Sequence, residues 1–204
     1  MALLLKRLTD IRRRPNQLVR LLSSSNDANN NDSDNTNELQ RSEYWSIARE
    51  TGRAQRPIFV AATKQHVGKT TCSLALMSGL QKRYDKVGFL KPVGQQHVDV
   101  SDKEGRTLRV DKDVVLIREH FNLDHVDYAD MSPVIIPQGY TKKFVDGEIC
   151  MEGQINDVQT AMGNVAKSNE VVLLEGTGHC AVGSIVGLNN AKVASMIGAD
   201  MVLM

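Results

Sequence analysis

"AATKQHVGKTT", residues 61–71, departs by one residue from the phosphate-binding pattern G-x-x-x-x-G-K-[ST]. Gly68, Lys69 and Thr70 close the pattern, but Thr63 stands where the opening glycine belongs, and a second lysine, Lys64, follows it. Such a loop carries chemistry only when a strand leads into it and a helix leaves it. Upstream, "PIFVAA" (57–62) is a short β-type run bounded by a proline. Downstream, Leu74, Met77, Leu80 and Tyr84 recur at steps of three and four, which is helical spacing.

The rest of the chain repeats that alternation. "VGFLKP" (87–92) reads as a strand, residues 110–121 and 155–168 as helices, and "EVVLLEG" (170–176) as a fully apolar strand. A helix over 189–197 and a last strand, "DMVLM" (200–204), follow. Apolar strands separated by helices predict an α/β fold, a parallel sheet with helices on both faces.

In that setting the loop has a direct chemical reading. Glycine lets the backbone close around phosphate oxygens, and the N–H groups opening the next helix point at the anion. Lys69 reaches the β- and γ-phosphates, and the Thr70 hydroxyl is placed for Mg²⁺. The candidate nucleotide contacts are Thr63, Lys64, Gln65, His66, Val67, Gly68, Lys69, Thr70 and Thr71. Gly68 is the position least open to change.

A nucleotide site also needs acids for its metal. Glu175 follows four apolar residues at the C-terminal end of a strand, the edge at which open α/β sheets bind ligands. It is either a metal-side carboxylate or a solvated strand-terminal glutamate. Asp113, in "RVDKDVVLIREH", is a second candidate; Asp111 equally fits the helix cap, with Asp113 adding charge to the first turn. Lys91 closes a strand before Pro92 and offers phosphate a second cation, unless it is an ordinary exposed lysine. Lys69, Lys91 and Glu175 are the candidate catalytic set.

Together "ATKQHVGKTT", "VGFLKPVGQ", "VDKDVVLI" and "VLLEGTGH" resemble the dethiobiotin synthetase-like branch of the P-loop NTPases. That branch also holds cobyrinate amidating synthetases and the N-terminal domain of long-form phosphate acetyltransferases. The resemblance covers residues 57 to 204. It implies ATP and Mg²⁺ as cofactors, with Thr70, Asp113 and Glu175 on the metal and Lys69 and Lys91 on phosphate or a carbamate. It also makes Thr63 a family variant, because dethiobiotin synthetase opens its loop with threonine.

Departures from that pattern are informative. Lys64 replaces the acid found there in dethiobiotin synthetase, and is similar to the lysine of the deviant loop in bacterial partitioning and septum-positioning ATPases. In those relatives it reaches a partner's nucleotide across a dimer, so a homodimer is one implied partner. "EGTGHCAVGSIVGLNN" (175–190) has its own glycine pattern, and "MSPVIIPQGYTKKF" (131–144) only partly resembles the diamino acid region of the synthetase.

Charge divides the chain unevenly. The formal net charge is +1, which gives no reason to expect nucleic acid. Residues 1–25 hold six Lys or Arg against one acid, leaving 19 basic and 23 acidic residues elsewhere. An Arg-rich, acid-poor, amphipathic start is similar to a mitochondrial transit peptide, the alternative being a frayed basic tail on a cytoplasmic or other organellar protein. "NDANNNDSDNTNE" (26–38) has almost nothing to bury and reads as disordered, so the domain plan is 1–25 targeting, 26–41 linker and 42–204 nucleotide-binding domain. Tyr44, Trp45 and Ile47 suit a short helix. No apolar run reaches the ~18 residues that span a bilayer, so no membrane is expected. Cys72, Cys150 and Cys180 lack metal-ligand spacing, and His179 beside Cys180 does not supply it. The expected domain stops at Met204 without the elements that would cover the last strand.

Two functions follow. One is an enzyme that uses ATP to phosphorylate a carboxylate or carbamate. The other is a nucleotide-sensing module whose bound ATP drives dimerisation or controls an attached domain.

Overall fold

Four short apolar segments build the sheet that positions the loop. In the computed structural model, which describes residues 56–178 and 180–204, these are β1 (Ile58–Ala61), β2 (Val87–Leu90), β7 (Val171–Glu175) and β8 (Asp200–Leu203). They hydrogen-bond in the order β2-β7-β1-β8, every pair parallel. β2 and β7 are buried along their whole length, the expected pattern for strands covered on both faces. The targeting, linker and Tyr44–Ile47 helix assignments, and that of His179, lie outside the described residues, as do the side chains of Cys180, Ala181 and Val182.

Two long helices cover opposite faces, and strand alternation shows which is which. The first, α1 (Lys69–Gln81), meets β7 through the Glu175 side chain, so Val171, Leu173 and Glu175 face it. The other, α5 (Met151–Ser168), approaches β2 at Gly88, the parallel partner of Val172. A Cβ on Gly88 would lie 2.6 Å from Val165 Cγ1, so only glycine lets this helix sit so close. The core between the layers includes Phe59, Met77, Phe89, Leu173, Leu174 and Met162.

Between β2 and α5 the chain adds elements that the apolar pattern did not predict. β3 (Val93–Gly94) pairs in parallel with β6 (Val134–Ile135), and β4 (His97–Ser101) pairs antiparallel with β5 (Thr107–Asp111). Asp102 turns that hairpin by accepting the N–H groups of Glu104 and Arg106. Three helices, α2 (Lys112–His120), α3 (Tyr128–Met131) and α4 (Tyr140–Val145), complete the region, and α6 (Cys180–Ile185) and α7 (Asn190–Met196) follow β7.

Two helix boundaries shift from expectation. Val110 and Asp111 belong to β5, and α2 starts at Lys112, because the extended Asp111 caps it by accepting the Asp113 N–H at 3.0 Å. α5 starts at Met151, four residues early, capped by Cys150 Sγ.

Candidate functional site

The C-terminal ends of β1, β2 and β7 lie side by side, and each delivers one part of the site. β1 runs into the loop. Residues 63–67 are exposed, and the backbone turns through the left-handed region twice, at His66 (φ 58°) and Gly68 (φ 92°). Nothing lies within 4 Å of a Cβ placed on Gly68, so glycine is required there by torsion and not by crowding. Cys72 N–H bonds Gly68 O at 2.9 Å and closes the first turn of α1, leaving earlier N–H groups at the helix mouth.

Lys69 opens α1. Its side chain is 8% exposed, yet among the described residues its ammonium has no hydrogen-bond or ion-pair partner. The nearest constraint is Gly178, beyond β7: a Cβ there would sit 3.8 Å from Lys69 Nζ and 3.3 Å from Gln65 Cγ. Gly178 thus lies against Gln65 and within contact distance of the lysine. The preceding turn is held by Asn190, which accepts Thr177 N–H (3.0 Å) and the Thr177 hydroxyl (3.1 Å).

β7 delivers Glu175, which is 1% exposed. It is not a solvated strand end. Ser73 donates to its Oε2 at 2.6 Å and Thr70 to its Oε1 at 3.1 Å. Burial raises the Glu175 carboxyl above the usual glutamate range; Asp113 adds to the rise, while Lys91, Ser73 and Thr70 oppose it without cancelling it.

β2 delivers Lys91, which is buried as well. Its ammonium bonds Asp111 Oδ1 at 2.9 Å and Asp113 Oδ2, and stands 3.8 Å from Glu175 Oε1. Burial alone would lower this lysine, but Asp111, Asp113 and Glu175 outweigh it and hold the ammonium charged above its usual range. Asp111 is both a cap and an anchor: its Oδ2 accepts Gln95 N–H at 3.0 Å, and its own N–H donates to Ser132.

Thus the structure brings Thr70 and Asp113, half-buried, and Glu175 and Lys91, buried, into one cluster, with Lys69 and Gly68 at the loop. Thr63 contributes its backbone, donating to Met204 O at 3.2 Å, while Lys64, Gln65, His66, Val67 and Thr71 line the exposed side. Ser73 and Gly178 were missed from the sequence, and Asp111 was read there as a helix cap but not as a partner of Lys91. Among the described residues no three His, Cys, Asp or Glu side chains form a metal cage. The donors suit a different arrangement: one hydroxyl and two carboxylates, all hard oxygens, with three acids facing one lysine. That surplus of negative charge and the hard oxygen donors fit a Mg²⁺ ion. The Cys72 thiol is pushed up by burial and by Glu175, so it is a poor nucleophile. Among the described residues no helix is long and apolar enough to cross a membrane.

Comparison with known proteins agrees with this geometry. Residues 56–204 match the family model described as AAA domain. A phosphate acetyltransferase of Nitrosomonas europaea is 28% identical over 148 residues, which take in 71% of this chain but 19% of that protein's length. The chain therefore spans a small part of that curated relative. Loop, strand order and family match agree, and the chain belongs to the AAA domain family as a P-loop nucleotide-binding protein.

Proposed function

We propose that this domain binds ATP with Mg²⁺ in the manner of the dethiobiotin synthetase-like branch, and acts as a nucleotide-responsive regulatory module. The observation that carries the nucleotide reading is Lys69, a lysine only 8% exposed with no partner among the described residues, placed at the mouth of α1 beside two left-handed turns. Burying a charge without a counter-charge is unfavourable, so an anion is its natural complement. A triphosphate supplies it, with Gly68 and the helix N–H groups around the same oxygens. Mg²⁺ would screen the phosphate charge, and Thr70, Asp113 and Glu175 are the residues that would hold it.

Regulation is favoured over a synthetase by what surrounds Lys91. In this structure its ammonium is engaged by Asp111 and Asp113, so it meets no second substrate until those contacts are released. The 131–144 segment is likewise occupied with structure: Ser132 accepts the Asp111 N–H, and the Tyr140 hydroxyl donates to Gln154. Likeness to one part of a phosphate acetyltransferase supports a module attached to other chemistry.

Titration calorimetry with ATP, with and without Mg²⁺, tests the binding step. Light scattering of wild type and Lys64→Ala tests whether ATP alters assembly through the exposed Lys64. ATP binding with an ATP-dependent change of assembly in wild type alone is the expected result. ATP binding that leads to steady turnover only when a carboxylate or amine substrate is added would establish the synthetase reading instead.

A further inference from the structure

Lys91 occupies an unusual position for a residue expected to meet phosphate. Two of the three acids around its ammonium, Asp113 and Glu175, are those that fit the divalent cation of the proposed Mg-nucleotide complex, on which this inference rests. Thr70, the third donor, bonds the same Glu175 oxygen, Oε1, that faces Lys91. One positive charge therefore already sits where another is due.

We propose that Lys91 is a resident counter-ion for the cation subsite: its ammonium and the incoming divalent ion contend for Asp113 and Glu175, and arrival of the ion releases Lys91 from both. Three features make the exchange feasible. The Lys91 backbone is fixed, its N–H donating to Met131 O at 2.8 Å, so only the four-carbon stem has to move. Asp111 remains as an anchor, since its carboxylate is held by the N–H groups of Gln95, Gln96 and Asp113 as well as by Lys91. The cluster also carries surplus negative charge, three carboxylates against one ammonium, so a divalent ion neutralises what the lysine leaves uncompensated.

Two effects follow. The nucleotide-free protein holds its carboxylates together without a metal, and keeps its affinity for free divalent ions low. Lys91 becomes available to phosphate only after the metal has entered, so the cation gates the second lysine. Lys69, with no carboxylate partner among the described residues, is ready beforehand.

The probe is Mn²⁺, counted by the electron spin resonance of the free ion in nucleotide-free, full-length protein. Lys91→Met, neutral and of similar length, is expected to bind Mn²⁺ at least ~10-fold more tightly than wild type, because a competing charge is gone. Lys91→Arg, which keeps the charge, is expected to stay as weak as wild type. Equal or weaker Mn²⁺ binding by a folded Lys91→Met protein overturns the proposal. If that variant does not fold, wild type decides: Mn²⁺ should speed acylation of Lys91, read by peptide mapping, and an unchanged rate at saturating Mn²⁺ overturns it. ATP titrated without metal into the same samples reports separately on nucleotide binding, so failure of one reading is not mistaken for failure of the other.

Discussion

Ser73 and Glu175, 102 residues apart in sequence, share a 2.6 Å hydrogen bond, the serine fully buried and the glutamate 1% exposed. The serine sits one turn beyond Thr70 on α1 and fixes the carboxylate oxygen that Thr70 does not reach. Ser73→Ala strips a buried charged acceptor of that donor. The expected loss is about 1–3 kcal/mol in urea denaturation, the usual penalty for a buried polar group left unsatisfied. An unchanged midpoint and slope would show that Glu175 is held by its other contacts alone.

Lys69→Met separates binding from folding. Charged hydrogen bonds contribute roughly 1.5–3 kcal/mol each, so removing the ammonium should weaken ATP about 10- to 100-fold. Stability should not fall, and can rise, because the wild-type charge is buried without a protein partner among the described residues. Calorimetry and thermal melting on one preparation check both. A large drop in melting temperature would reveal a structural role.

Gly68→Ala tests the loop's torsion. With φ at 92° and open space around the missing side chain, the penalty is conformational, about 1–2 kcal/mol. The domain should stay folded while ATP affinity falls, because the easier escape is for the loop to relax away from its phosphate-facing shape. Full retention of ATP affinity would falsify the requirement for a left-handed residue here.

Glu175 also sets a pH dependence. Its folded carboxyl is raised above its ordinary 4.5, so the folded chain binds more protons than the unfolded one in that range. Its contribution to stability is therefore complete below 4.5 and is lost as pH rises through the raised folded value. Lys91 is raised too, but its contribution persists until pH passes 10.5 and does not change over the same range. Glu175→Gln cannot ionise, so its stability should vary less between mildly acidic and neutral pH than that of wild type. Parallel stability curves for the two proteins, measured by denaturant titration at each pH, would contradict this.

Much of this was legible in the chain. Ile58–Ala61, Val87–Leu90 and, up to Glu175, Val171–Leu174 are apolar runs, as strands covered on both faces tend to be. Gly68 and Lys69 announced the turn into α1. The β4–β5 hairpin was missed although Val98, Val100, Leu108 and Val110 alternate about the Asp102–Gly105 turn; β4 is mostly exposed and carries no continuous apolar run. β3 and β6, two residues each, are too brief to leave a pattern. Ser73 was silent because a serine within a helix looks like any solvated position until its partner is known. The engagement of Lys91 by Asp111 and Asp113 depends on β5 and α2 folding back against β2, which no local spacing encodes.

The side of the sheet on which Glu175 falls has its own consequence. Strand side chains alternate with a period of two, so the site has a parity. Val60 and Glu175 are register partners, and Glu175 shares its face with Leu173 and Val171. Deleting or inserting one residue within β7 would leave an apolar strand that still pairs with β1 and β2. It would also turn the carboxylate towards α5 and the Val165 side, away from Thr70, Ser73 and Lys91. The sheet can absorb an odd shift in length; the chemistry can absorb only an even one.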